Sequence, residues 1–438
     1  MAGIVDLDIS GLFKRVYGKQ TDLLPEGFPI QKMLEVKKAG GESHSEAVQL
    51  SHENGVTLIG EAGETADFES AASGVVKQAT VKCKEMFLSS ALATGTIANS
   101  AAGGDKAFAA ATKDRVAANI RSHSRMREHF CLYGQSEGLG RVNYCTQTFR
   151  GVAFIAGAAT IAGVVIAAGV NIAGKVIMLE PADIASGIWQ GAEGMEIEQV
   201  VTATGVVAGA GAAKGKVVSV DIRNGLITVD FTPVVATAIG SHALMLKGQR
   251  EAKEMIGLKK ILTNTGTLFG INAATYNLWK GSNFQIDGKL TFAKLSEQLE
   301  QLCDFGLEKN VEVHISFESW KTLLVEADAL RSMDNSYDSG KVKRGHESIE
   351  FYFVNGTAKI VANRFVRRGD CFVLAQGDCA MISVSEVGFN VPGSDGDLIV
   401  RPITNNSYIY RSYSSSQIFL YAPRRSGYIS GVNPESTT

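Results

Sequence analysis

Hydrophobic and polar positions along this chain keep no single period. Residues 1–36 have scattered apolar spots at Leu12, Phe13, Val16, Leu23 and Leu24, and prolines at Pro25 and Pro29 that are expected to break any helix. This pattern predicts an extended arm that needs another surface to lie on. Residues 37–81 open with Lys37-Lys38-Ala39-Gly40-Gly41 and continue rich in Gly, Ser, Glu and Ala, with one strand-like stretch, Gly55-Val-Thr-Leu-Ile-Gly60. A stretch so thin in apolar anchors predicts a long projecting loop or β-hairpin rather than a core.

Regular periods begin after that. Asp105 is the expected cap of a helix running to about Tyr133, with Gly134 as its stop. Its apolar residues are mostly Ala. Lys106, Lys113, Arg115, Arg121, Arg125 and Arg127 face few acids, so it reads as a strut or as a surface helix with a solvated basic face. From 190 to 244 the period is two. Gly215–Ile222 alternates, Asn224-Gly225 predicts a tight type I′ turn, and Leu226–Phe231 returns. The segment 190–244 is therefore read as a small β insertion. Thr291 to about Phe305 places Phe292, Leu295, Leu299 and Leu302 on one helical face, closed by Gly306. Val311–Phe317 reads as a strand, Ser319 as the cap of a helix through Trp320, Leu323, Leu324, Ala327 and Leu330. Ile349–Val354, an Asn355-Gly356 turn and Ala358–Val361 begin a strand-rich tail. No clean internal repeat is present.

Residues 151–174 test a membrane reading. They form 24 uncharged residues, long enough to span. Yet eight are Ala and five are Gly, none is Leu, and each Gly costs a lone helix about 1 kcal/mol. Buried strands and tight turns at a protein–protein contact are the better expectation.

Composition sharpens the picture in two ways. Lys plus Arg number 43 against 45 Asp plus Glu, a net charge of −2, which excludes nucleic-acid binding through bulk positive charge. Apolar content, with Gly counted and Tyr left out, is about 53%, above the usual ~45–50%. The excess exceeds what one solvated monomer needs and points to interface. The six cysteines, Cys83, Cys131, Cys145, Cys303, Cys371 and Cys379, show no Cys-x-x-Cys spacing, and the start lacks a secretory pattern, so free thiols are expected.

Motifs of chemistry do not form. In the Gly-rich run Gly205–Gly215, Gly209 and Gly211 make G-x-G, but Lys214 stands where a third glycine should fall. None of His44, His52, His123, His129, His242, His314 and His346 has zinc or metalloprotease spacing, and His314 reads as a satisfied core histidine. Asp328, Asp334 and Asp338 lack a calcium-loop pattern. No catalytic, cofactor-binding or metal residue is nominated, no cofactor is expected, and the expectation is a protein that is not an enzyme.

Several stretches nevertheless resemble one family in order along nearly the whole chain. They are Val16-Tyr17-Gly18 with Leu24-Pro25; His52-Glu-Asn-Gly-Val-Thr57; Asp105-Lys-Ala-Phe108; and Leu132-Tyr-Gly-Gln135. They continue with Asn264-Thr-Gly-Thr-Leu-Phe-Gly270 into Tyr276-Asn-Leu-Trp-Lys-Gly281; Ser319-Trp320 with Leu330-Arg331 and Asp334 to Tyr337; Phe389 to Gly393; and Arg411-Ser-Tyr413 through Ala422-Pro423 to Gly431-Val-Asn433. The chain thus resembles the major capsid proteins of tailed bacteriophages, of the Hong Kong 97-type.

The resemblance implies an α+β capsid fold with an arm (1–36), an extended loop (37–81) and a peripheral domain (82–189) holding a spine helix at about 105–133. The β insertion (190–244) lies outside the minimal fold and would decorate the shell or help the subunit fold. An axial domain (245–379) and return strands with a C-terminal tail (380–438) complete the expectation. It implies self-assembly into pentamers and hexamers of an icosahedral head in the virion, built in the host cytoplasm around double-stranded DNA, without a membrane. The expected partners are further copies, scaffolding, portal and decoration proteins, and DNA in weak non-specific contact, with the basic residues between Lys106 and Arg127 as candidates for an inward face. No long charged helical segment precedes the arm, so a separate scaffolding protein is expected. Lys37, Lys38 and Lys77 lie in or near a region that some relatives cross-link, but no motif supports that chemistry here. Two alternatives remain: a cellular nanocompartment shell of the same fold, and an α/β enzyme with an unrecognised site.

Overall fold

The computed structural model describes residues 27–41, 43–58, 60, 67, 70, 73–93, 105–136, 138–141, 159–161, 164–166, 176–179, 181–201, 214–223, 225–232, 242–247, 253–332, 349–389, 399–400 and 407–433. Leu12, Phe13, Val16, Leu23, Leu24, Cys145 and most of the 205–215 glycine run lie outside them. The chain divides into two units. Unit 1 comprises Met1–Lys38, Cys83–Gly257 and Ser383–Gln417; unit 2 comprises Ala39–Lys82, Leu258–Ile382 and Ile418–Thr438.

Unit 1 opens with a short helix, α1 (Pro29–Met33). The expectation that Pro29 breaks a helix is corrected. In the first turn the missing N–H is not needed and the fixed φ suits the helix, so Pro29 starts α1 instead. The long helix α2 (Asp105–Tyr133) occupies the predicted span. Its last turn, Phe130 to Tyr133, is buried all round, which makes that end a core element rather than a strut. Gly134 still donates to the Phe130 carbonyl at 2.9 Å, and the left-handed residue is Gln135, with φ of +57°. Gly134 is required for room: a Cβ there would lie 2.1 Å from the Met255 carbonyl oxygen.

Two larger sheets carry most of the described strands of unit 1, and two of these strands, Cys379–Gly388 and Ser407–Leu420, continue along the chain into unit 2. In one, Lys84–Ala93 runs antiparallel to Ser407–Leu420, with Ser407 opposite Ala93 and Ser416 opposite Lys84. The same sheet holds Glu35–Lys38, Cys379–Gly388 and Ile399–Val400. The other has the order Gly140–Arg141, His242–Leu246, Glu196–Val201, Lys214–Asp221, Leu226–Thr232, Val176–Met178, so it recruits strands from outside 190–244 on both edges. The predicted hairpin is there, but Asp221 pairs with Leu226 and leaves a four-residue connection, longer than a type I′ turn. Gly225 within it has φ of +66°. A third helix, α3 (Ser186–Trp189), buries Ile188 and Trp189. In the 151–174 stretch, Ala159–Ile161 pairs antiparallel with Val164–Ile166. No helix among the described residues is long and apolar enough to cross a membrane.

Unit 2 is built on a mixed sheet in the order Ser282–Gly288, Gly427–Val432, Asp370–Ala375, Val311–Ile315, Gly356–Ala362, Ile349–Phe353. The first pair and the Val311–Ile315/Gly356–Ala362 pair are parallel; the others are antiparallel. Its helices are α4 (Leu258–Leu262), α5 (Phe292–Asp304) and α6 (Phe317–Ser332). One face of the sheet, carrying Val311, Val313, Ile315, Ile360, Val373 and Ile429, forms a core with Leu295, Leu299 and Leu302 of α5 and Leu323 of α6. Thr291 caps α5 as predicted, its Oγ1 accepting from the Lys294 N–H at 3.3 Å, and Gly306 ends it with φ of +92°. The cap of α6 is corrected from Ser319 to Ser316, whose Oγ accepts from the Ser319 N–H at 3.3 Å. Ser319 is the inner member of that first turn, and the strand before it ends at Ile315.

Candidate assembly surface

Unit 2 carries an exposed two-stranded antiparallel ribbon, Ser43–Gln49 against Val76–Lys82. Alternation builds it. Ala79 and Val81 point inward and are fully buried, while the outward positions Ser43, Ser45, Ala47, Gln49, Val76, Gln78, Thr80 and Lys82 are all exposed. The predicted strand at 55–60 is not formed; Val56 and Leu58 are 76% and 88% exposed instead. Alternation across 43–49 and 76–82 is the signal that sequence reading missed, because most of its positions are small or polar. A lone two-stranded ribbon is marginal in water, so its root matters.

That root is made by a tight connection in unit 2. Thr80 donates its N–H to the Phe269 carbonyl at 2.9 Å. Phe269 sits in left-handed backbone, φ +52°, followed by Gly270 at +87°. A bulky residue held there stores strain, which the surroundings must offset. The Phe269 ring meets Phe419 edge-on at 5.4 Å, and Trp279, fully buried, donates to the Leu268 carbonyl at 3.1 Å. Two stretches of the family resemblance, at 264–270 and 276–281, thus build this foundation. At the far end of the ribbon Val75 donates to Ser51 Oγ at 2.8 Å, and Leu50 to the Val75 carbonyl at 2.8 Å.

Unit 2 has further uncovered apolar side chains. Tyr352 and Val354, on and just beyond the edge strand Ile349–Phe353, are 76% and 79% exposed. On α6, Phe317, Lys321 and Val325 recur every four residues on one exposed face.

In unit 1 the carboxylate of Glu128 ties the described start of α1 to α2. Glu128 of α2, fully buried, accepts the N–H of Ile30 at 2.8 Å and that of Gln31 at 3.1 Å, capping α1. Gln31 Nε2 also donates to Glu128 and to the Ser124 carbonyl, and Arg127 Nε donates to Gln31 Oε1 at 2.7 Å. Arg125 donates to the Gln190 carbonyl at 2.8 Å, and Arg121 has a partner as well. Three of the six basic residues nominated on this helix are therefore engaged within the protein. The side chains of Lys106, Lys113 and Arg115 lie outside the described set. His123 is buried with its Nδ1 2.9 Å from Ser412 Oγ and its Nε2 2.7 Å from Ser414 Oγ.

The residues weighed for chemistry do not converge. Among the described residues no three His, Cys, Asp or Glu gather as a metal site. His314 is fully buried mid-strand, but its ring nitrogens have no hydrogen-bond partner, and Glu312 lies 3.7 Å from Nε2; the expectation of a satisfied histidine is corrected to that extent. Burial pushes the Cys379 thiol up to about 12 and raises those of Cys131 and Cys371 still further, which makes them poor nucleophiles. Lys38 and Lys77 are exposed, whereas Lys37 is half-buried and has a partner.

No protein-family model and no curated protein matches the chain. Solved structures do. The capsid asymmetric unit of cyanophage A-1(L) is similar over 95% of this chain and 97% of its own, with a TM-score of 0.53 at 11% identity. The capsid of a native GTA particle covers 98% of this chain and 100% of its own, with a TM-score of 0.43 at 9% identity. A structure from Mycobacterium phage Bobi covers 98% and 99%, with a TM-score of 0.43 at 7% identity. The chain has an α+β capsid fold of the Hong Kong 97-type, the fold of tailed-phage capsid subunits.

Proposed function

We propose that this chain is the major capsid protein of a tailed phage, a structural subunit that assembles with its own copies into a closed shell. The observation that carries the reading is the similarity to a cyanophage capsid subunit along nearly the full length of both chains. The physical character of the molecule supports it. A ribbon with an entirely exposed outer face and uncovered Tyr352 and Val354 leave apolar and hydrogen-bonding surface for neighbours. Heterologous contacts repeated by rotation close into rings, which is how one subunit type makes pentamers and hexamers. A net charge of −2 limits repulsion between many copies.

In this reading the ribbon and its connecting segment are the extended loop, α2 is the spine helix, and unit 2 contains the axial domain. DNA is the content of the shell, met by weak non-specific contact. Scaffolding, portal and decoration proteins complete the virion, with assembly in the host cytoplasm. No reaction is assigned to the chain.

Electron microscopy of the purified full chain tests this directly. Closed, regular particles much larger than a ring of six are expected, and co-expression with scaffolding protein should improve their uniformity. Only monomers or small soluble oligomers under all such conditions would overturn the proposal.

A further inference from the structure

A cleft of about 310 Å³ opens in unit 2, lined by residues 262–265 and 280–284 with Phe305 and Arg424. The two stretches touch through backbone. A Cβ on Gly281 would lie 2.3 Å from the Leu262 carbonyl oxygen, so only glycine permits the approach. The guanidinium of Arg424 stands 3.6 Å from the centre of the Phe305 ring, a stacked cation–π contact. Ser282 Oγ donates to the Arg424 carbonyl at 3.0 Å and fixes the backbone there.

What the cleft lacks is an acid. No carboxylate lines it, and among the described residues neither Arg424 nor Lys280 has an acidic partner. Burial lowers the pKa of Arg424 with no neighbouring anion to oppose it. A planar, half-buried, stacked guanidinium beside a lysine is suited to a planar oxyanion held by two parallel N–H donors. Leu262, Phe284 and Phe305 add apolar wall, which inorganic phosphate would leave uncovered.

The chain itself contains a segment of complementary chemistry. Residues 51–76, which run from just after one strand of the ribbon to the first residue of the other, contain Glu53, Glu61, Glu64, Asp67 and Glu69 and no lysine or arginine. Glu53 and Asp67 are exposed, as are Val56 and Leu58 close by. The segment therefore offers carboxylates next to apolar side chains, as the cleft offers a cation next to aromatic wall.

We propose that the Arg424–Phe305 cleft receives a carboxylate of the 51–76 segment from a second copy of the chain. This rests on the self-assembly reading above. The test uses a fluorescent peptide of residues 51–76 and the full-length protein at concentrations below assembly. Saturable binding is expected, weakened at least tenfold by Arg424→Gln and less by Arg424→Lys, which keeps the charge without the planar fork. A peptide with its five acids replaced by Gln and Asn should not bind. Equal binding by wild type and Arg424→Gln, equal binding of the neutral peptide, or no peptide binding at all overturns the proposal. So does stronger competition by inorganic phosphate than by unlabelled peptide. If Arg424→Gln fails to melt cooperatively, Arg424→Lys and Phe305→Leu provide the comparison. Microscopy of the same preparations separates the two readings: shells without peptide binding reject only the cleft, and peptide binding without shells rejects only the capsid function.

Discussion

At the scale of single residues, the structure distinguishes glycines that are needed from glycines that are merely present. Gly281→Ala would place a methyl group 2.3–2.6 Å from three Leu262 backbone atoms, none of which can swing away. A loss of about 2–3 kcal/mol in chemical denaturation is expected. Gly40→Ala meets nothing within 4 Å, so it should be neutral or gain a few tenths of a kcal/mol. His123 and His314 make a second residue-scale prediction. Burial, with Arg127 for His123 and Lys359 for His314, pushes each pKa down to about 4 from an ordinary 6.5. A histidine whose folded pKa is depressed stabilises the fold fully above the unfolded pKa and loses that contribution as pH falls through ~6.5 towards 4. Each contributes at most about 3 kcal/mol. Denaturation midpoints should therefore fall between pH 7 and pH 4.5, and His123→Asn should make the fall shallower. Of these details, only the burial of His314 is legible in the sequence, from the apolar residues on either side of it. The need for Gly281 is not, because the partner backbone is nineteen positions away.

At the scale of elements, α5 was legible to the residue. Its cap, its apolar stripe and its terminating glycine are local signals that agree. The end of α2 at Tyr133 was legible as well, but its burial was not, because four successive buried residues carry no period. α1 depends on a partner distant in sequence, Glu128, and that dependence makes a prediction. Glu128→Ala would strip the acceptor from the Ile30 and Gln31 N–H groups and from Gln31 Nε2. A cost of about 2–4 kcal/mol is expected, with accelerated amide exchange at Ile30 and Gln31 measured by mass spectrometry. Glu128→Gln keeps an acceptor oxygen and should lose about half as much. The ribbon gives an element-scale test of function. Replacing residues 54–72 by a short Gly-Ser link retains Ser51, Gly74 and Val75, which close the ribbon's end. The subunit should melt as the parent does yet fail to complete shells; normal closed particles would exclude this segment from assembly.

At the scale of the molecule, the α+β class and the capsid fold were legible because many weak signals occur in one order along the chain. Where units begin and end was not. The sheet that includes 196–232 takes its edges from Gly140–Arg141 and Val176–Met178, and no local pattern announces pairing over such separations. That sheet also changes what removing 190–244 should do. Replacing it by a Gly-Ser linker would leave both edge strands unpaired. A lowered, broadened melting transition is expected, rather than the silent loss of an independent module. The apolar excess of the composition belongs at this scale as well. It is visible as exposed side chains on the ribbon's connection, on α6 and on the edge strand of unit 2.

The position of Gly427–Val432 has a consequence in time. It lies between Ser282–Gly288 and Asp370–Ala375 in the sheet of unit 2, yet it is made about 140 residues after the first of them. At ribosomal speeds of about 5–20 residues per second, Ser282–Gly288 waits roughly 7 to 28 seconds for its neighbour. A chain whose synthesis stops short of Gly427 never closes that gap. Its sheet is split between Ser282–Gly288 and Asp370–Ala375. Late completion thus makes the sheet of unit 2 depend on synthesis running through to Val432, so that a truncated product is left without the strand that joins its two flanking neighbours.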